Sequence, residues 1–237
     1  MLEKEKKLKR TINNWLGLLG VISLLSYSAA VILSPLAYPG YQWMSRAVSD
    51  LSAQYAPSLR LWTQLSSLYG FCAVCCITLV VVEIQGKLNK GIRTGIYLFA
   101  IMQWVSAIGY TAFPLSGVVY EKTATSVGEA TYQMMSNFQD TMHIVVTAAV
   151  IILSIVSLSL IVFSSYKNKG YSSLGNWATL ALVMMLIGGI GSGIVPKELF
   201  GLFQRFSNFS AVGFNALLGI YLFNGFGELD LQAENNS

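Results

Sequence analysis

Charge is scarce in this chain. Asp, Glu, Lys and Arg together make up 11% of its 237 residues, against roughly 25% in an ordinary soluble domain. What charge there is avoids six apolar stretches, at residues 15–37, 61–84, 95–116, 143–164, 177–195 and 207–224; only Glu83, at the edge of the second, intrudes. A mid-membrane relay of carboxylates and ammonium groups, as proton-coupled transporters and channels use, is therefore missing. Histidine is rarer still, since His143 stands alone. The three cysteines, Cys72, Cys75 and Cys76, all lie within the second stretch. One imidazole cannot complete a four-ligand zinc site with them, so no metal and no cofactor is expected. The connections hold no cysteine, which excludes a disulfide framework. A basic helix or aromatic–basic module is also lacking, which excludes a nucleic-acid partner.

What the sequence has in abundance is apolar length. Hydrophobic residues make up 54% of it, and each stretch has about the 20 residues that cross a ~30 Å hydrocarbon layer as a helix. Lipid offers no partner for backbone polar groups, so such a stretch crosses only as a helix that satisfies its own. The expected fold is all-α: a polytopic membrane bundle of six transmembrane helices. A basic N-terminus (1–14) precedes the membrane domain (15–224), and a short tail follows (225–237). The first stretch is too long for a signal-peptide core and is read as a retained helix ending near Pro35.

Basic residues alternate between connections. Lys4, Lys6, Lys7, Lys9, Arg10, Lys87, Lys90, Arg93, Lys167 and Lys169 fall on one side, against Arg46, Arg60, Lys122, Lys197 and Arg205 on the other. Lys- and Arg-rich loops face the cytoplasm, so both termini are expected inside a cell membrane, as in a prokaryotic plasma membrane. The excess positive charge then serves anionic inner-leaflet lipid.

The inner connections read as plain turns; the outer ones carry more chemistry. After Tyr38-Pro39-Gly40-Tyr41, the residues Met44, Val48, Leu51 and Tyr55 recur at helical spacing, with Arg46, Asp50 and Gln54 four apart on another face. That pattern predicts a short interfacial helix over 41–55, anchored by Trp43 and stopped by Pro57. With a fourth helix beginning near Thr131, Asp140 and His143 share a face, an arrangement suited to acid–base work. Phe200, Phe203 and Phe206 suggest another interfacial turn, with Arg205 free to meet a phosphate or a carboxylate. Inside the stretches, Gln103, Trp104, Ser106, Tyr110 and Thr111 stripe the third helix, and Ser23, Ser26 and Tyr27 the first. Gly189 and Gly193 suggest close packing of the fifth helix, with Asn215 bonding across from the sixth. The cysteines read as small packing residues.

The ordered series Ser49-Asp50-Leu51-Ser52, Ala56-Pro57, Ala112-Phe113-Pro114, Asp140 with His143, and Gly201-Leu202-Phe203-Gln204-Arg205 resembles the prokaryotic six-helix proteins of domain-of-unknown-function family 998. The resemblance covers nearly the whole chain and implies the fold but no activity. The first outer loop is also distantly similar to the Ile-Ser-Asp…Pro-Pro loop of DRAM/Frag/Sfk-like six-helix proteins, a group associated with lipid organisation. Here Leu51 stands for the usual Thr and Pro57 for the proline pair.

These features yield a candidate outer site. Asp140 and His143 are its catalytic candidates, and Ser49, Asp50 and Arg205 its headgroup-binding candidates. The function expected is recognition or modification of a membrane lipid headgroup; whether it is enzymatic stays open. A non-catalytic accessory role, with a protein partner or a second copy of the chain, is one alternative. Small-molecule transport is another, weakened by the missing intramembrane charge and the lack of a clear internal repeat.

Overall fold

The computed structural model describes residues 10–116, 137–168 and 170–226. The expectations for Lys4, Lys6, Lys7, Lys9, Lys122, Lys169, a helix start near Thr131 and the tail from 227 onward lie outside them.

Six helical spans form, at Ile12–Ala37, Leu59–Glu83, Lys90–Ala112, Phe138–Lys167, Ser172–Gly193 and Lys197–Phe223, each long and apolar enough to cross a membrane. The chain is a multi-pass integral membrane protein, and the described residues contain no strand. Large apolar side chains such as Leu25, Phe71, Ile108, Ile152 and Phe163 are exposed on the outside of the bundle, as a lipid-facing surface requires.

Local signals set the helix starts. The Thr11 side chain caps the first turn and Asn14 reciprocates. Asn89 accepts from the Gly91 N–H at 2.8 Å, and Asn137 from the Gln139 N–H at 2.9 Å; each satisfies an orphan donor. Gly86 and Gly170 supply the positive φ of the turns after the second and fourth spans. Those turns lie together with Arg10 and Phe226 at what we term the proximal end, where Asn89 donates to Asn168 and Arg10 stacks on Phe223. The connections after the first and fifth spans, and residues 113–116 after the third, lie at the distal end.

The second span is broken into Leu59–Leu65 and Tyr69–Glu83. Carbonyls at the break find partners on the first span: Ser26 Oγ donates to Leu65 O at 2.6 Å and Ser23 Oγ to Tyr69 O at 2.9 Å. The serine stripe expected on the first helix thus repairs an interruption in its neighbour, which lipid would not do.

Toward the proximal end the bundle is solid. Ile77, Val80, Ile84, Ile92, Ile96, Phe99, Leu158, Ile161, Leu174 and Leu218 are among the members of one buried core. Small residues allow the close approaches: Gly17 lies against the Gly219 carbonyl, and Cys76 Sγ sits 3.6 Å from Gly17 O. Cys72 and Cys76 are buried with Cys75 turned partly outward. Asn215 Nδ2 bonds Ala73 O at 3.3 Å across to the second span. In the fifth span Gly189 packs tightly against Ile151 and Gly188 against the Ser207 backbone, whereas Gly193 faces open space.

The helix in the first distal connection is shorter than the expected 41–55. It is one 3-10 turn, Val48–Ser52. Val48 and Leu51 are buried under it, while Met44 and Tyr55 are exposed, so the four apolar residues do not share a face. The carbonyls of Trp43 and Arg46, which a longer helix would need internally, bond Arg205 instead. Phe200, Phe203 and Phe206 are not a separate interfacial turn but belong to the helix Phe200–Phe223 of the sixth span.

Candidate functional site

The distal half of the bundle is hollow. A cavity of ≈ 550 Å³ lies beneath the Val48–Ser52 turn and is lined by residues of every span. Ser49 and Ser52 form its roof, and Met102, Val150 and Met185 lie deeper. Its polar wall comes largely from Ser66 and Ser67 at the break in the second span, from Gln103, Ser106, Tyr110 and Thr111 on the third, from His143 and Thr147 on the fourth, and from Gln204, Ser207 and Asn208 on the sixth. Tyr27, Trp62 and Tyr69 add aromatic surface. Apart from His143, no titratable acid or base of the Asp, Glu, Lys or Arg type is among the lining residues.

His143 is buried at 8% exposure, with its ring 5.0 Å from that of Tyr110. Its Nδ1 lies 2.9 Å from the Phe113 carbonyl. A carbonyl can only accept, so Nδ1 carries the proton and a neutral imidazole keeps Nε2 as an acceptor. The neighbouring hydroxyls point the same way chemically. Ser66 Oγ donates to Trp62 O at 2.8 Å, Thr111 Oγ1 to Ala107 O at 2.7 Å, Thr147 Oγ1 to His143 O at 2.9 Å and Ser207 Oγ to Gln204 O at 2.8 Å. Their protons are spent on the helix backbone, and lone pairs remain, one of those on Thr147 Oγ1 taken by the Tyr110 hydroxyl at 3.1 Å. Gln204 is the counterweight: its Oε1 accepts from the Val48 N–H at 2.9 Å, leaving its amide as a donor.

Of the five candidates read from the sequence, the cavity brings together Ser49 and His143. The other three lie outside its lining. Asp140 is fully buried and accepts from the Ser116 N–H at 2.7 Å and from Ser116 Oγ. Gln139 Nε2 bonds the Pro114 carbonyl. Gln139, Asp140 and His143 therefore grip Pro114, Ser116 and Phe113 one for one, holding the exit of the third span against the entry of the fourth. The group on His143 Nδ1 is a carbonyl rather than the Asp140 carboxylate.

Asp50 is bound by Arg46, Nε to Oδ2 at 3.1 Å, and the Arg46 guanidinium lies 4.9 Å from the Tyr38 ring centre. Burial pushes the Asp50 carboxyl above its usual range, and the Arg46 charge opposes this without cancelling it. Arg205 acts as a clamp. Its Nη1 donates to the carbonyls of Trp43 (2.6 Å), Gly201 (2.7 Å) and Arg46 (3.2 Å), and its Nη2 to Tyr41 Oη at 2.9 Å. The Tyr41 hydroxyl passes its own proton to Ala47 O at 2.8 Å; burial raises its pKa, opposed by Arg205.

The polar stripe on the third helix was legible and does line the cavity, except for Trp104, whose indole N–H bonds Thr78 on the outside. The sixth-span contribution was missed, although Gln204, Ser207 and Asn208 at i, i+3 and i+4 in an apolar helix carry the signal. No curated protein and no solved structure matches this chain. A family described as "Protein of unknown function (DUF998)" matches residues 21–221, and the chain belongs to it.

Proposed function

We propose that the distal chamber binds an uncharged amphiphile through a hydroxyl-bearing head, and that the protein holds such a membrane molecule rather than a phosphate headgroup. The observation that carries this reading is the state of the polar wall. The hydroxyl protons of Ser66, Thr111, Thr147 and Ser207 are spent on backbone and that of Tyr110 on Thr147, the neutral His143 ring keeps Nε2 as an acceptor, and Gln204 keeps a donor. A ligand hydroxyl both donates and accepts, so it satisfies both kinds of partner. A phosphate needs donors and a cation, yet Arg205 is taken up by three carbonyls and a phenol. A cationic head would have no carboxylate among the lining residues to balance it. Binding is favoured over acid–base chemistry because Asp140 is committed to Ser116.

The distribution of basic residues supports a chamber at the outer face of a cell membrane. Single cysteines at Gln54→Cys and Asn89→Cys test this: the first should label from outside intact cells and the second should not; the reverse pattern overturns it.

The binding reading is tested by mass spectrometry of lipid retained by the purified protein, comparing wild type with Thr147→Val, which keeps the shape and removes an acceptor. An uncharged, hydroxyl-bearing amphiphile enriched over the bulk extract, and depleted several-fold in the variant, is expected. Retention of phospholipid in bulk proportions by both proteins would sink the reading.

A further inference from the structure

Resting on that reading of the chamber, we infer that its ligand enters sideways from the membrane, through a slot between the second and third spans. Among the described residues, the roof is pinned in place. It is pinned to the sixth span by the Val48 N–H on Gln204, to the end of the third by the Gln54 N–H on Leu115 O at 2.9 Å, and to itself by Ser58 Oγ on Leu51 O at 2.9 Å. Leu51 is fully buried beneath it. Of the residues lining the chamber, those that are exposed are Ser67, Phe71 and Thr111. The first two belong to the second span and the third to the third span, so the open side of the wall faces lipid.

The break in the second span makes the slot. Gly70, just past it, lines the chamber, and a Cβ built there meets nothing within 4 Å. That sets it apart from Gly20, Gly95, Gly109 and Gly188, whose added Cβ would run into a neighbouring helix. Those glycines permit helix contact; Gly70 leaves space. The Trp104–Thr78 bond closes the slot below, at 3.2 Å. Ala107 and Thr111, on the slot, stand one turn distal of Trp104 and Ile108, which line a wholly apolar groove on the outside of the third span. A hydroxyl head in the chamber with a hydrocarbon tail passing out through the slot into lipid fits this sequence of surfaces. A water-soluble solute fits only its inner part.

The test uses full-length protein in phosphatidylcholine nanodiscs and a monoacylglycerol carrying a diazirine beside its head. After irradiation, adducts on Met102 and Met185, which the bundle shields from lipid, are counted by peptide mass spectrometry. Wild type should give them, and Gly70→Leu should lower them tenfold or more. Gly213→Leu, a control in equally open space and outside the chamber lining, should leave them at the wild-type level. Gly70→Ala, a smaller filling, should fall between, which separates a blocked slot from a misfolded bundle. If Gly70→Leu labels like wild type, or Gly213→Leu loses as much, the lateral route is wrong while the chamber reading stands. If wild type itself gives no inner adducts, the chamber reading fails and this inference with it.

Discussion

The two ends of the bundle are built from helices of similar length and apolarity but filled differently. Proximally, Ile77, Ile92, Ile96, Phe99, Leu158 and Leu218 pack together at 0% exposure. Distally, serines, threonines, tyrosines and one histidine surround a cavity. Lipid supplies no hydrophobic drive for helix association, so the proximal half coheres by dispersion and close contact at small residues. The distal half has its own close glycine contacts, such as Gly188 on Ser207 and Gly201 on Arg46, and is also held at its rim by charged side chains. Arg205 binds the first connection, and Asp140 binds the exit of the third span. The rare charged side chains thus brace the rim of the hollow, and its polar lining is left to Ser, Thr, Tyr, Gln, Asn and one His.

That division sets the order of expected damage. The largest loss belongs to the solid half. Phe99→Ala removes a fully buried ring packed edge-on to Phe214 at 5.2 Å, and should cost about 3–5 kcal/mol. In the chamber, Ser106→Ala trims a hydroxyl from the cavity wall and should cost less than about 1 kcal/mol. Thermal unfolding in one detergent compares them directly; equal losses would mean the distal half is as tightly filled as the proximal one.

Next comes the rim. Arg205→Ala strips partners from three carbonyls and Tyr41 and should cost roughly 2–4 kcal/mol. Arg205→Lys should recover little, since a point charge on a flexible stem cannot reproduce the fork that reaches Trp43, Arg46 and Gly201 together. A full rescue by Lys, read as the melting temperature, would recast Arg205 as a charge without a shape requirement. Asp140→Ala leaves the buried Ser116 N–H without its acceptor and should cost about 1–3 kcal/mol. If its loss instead left stability intact and abolished ligand retention, Asp140 would belong to the site rather than to its frame.

The contrast also explains what could be read in advance. Span number followed from apolar length, because in lipid length and backbone satisfaction decide the fold almost alone. The chamber was half legible: Gln103, Ser106, Tyr110 and Thr111 announce a polar helix face by periodicity. The rim was not legible. Arg205 binds backbone carbonyls, which every residue carries and no side-chain pattern marks. The Asp140–Ser116 pair joins residues 24 apart in sequence, and helical spacing relates Asp140 to His143 instead. The same clamp shortened the expected helix over 41–55, since carbonyls bonded to Arg205 are lost to helical pairing.

The smallest expected effect is a pH dependence at the rim. Burial raises the Asp50 carboxyl pKa in the folded protein, and Arg46 offsets only part of it. The native state therefore binds this proton more tightly than the unfolded chain does. By linkage, the stability gained from that proton is fully present below the unfolded carboxylate value and is lost as pH rises through the raised folded one. This contribution runs opposite to the usual acid denaturation of paired carboxylates, because desolvation outweighs the ion pair. Asp50→Asn holds the site neutral at every pH. Wild type and variant should thus differ least in melting temperature at the acid end of this window, with wild type falling relative to the variant as pH climbs through it. Were wild type instead to gain on Asp50→Asn over that range, the Arg46 pair would outweigh burial, and the distal rim would be held by the ion pair as well as by the Arg205 clamp.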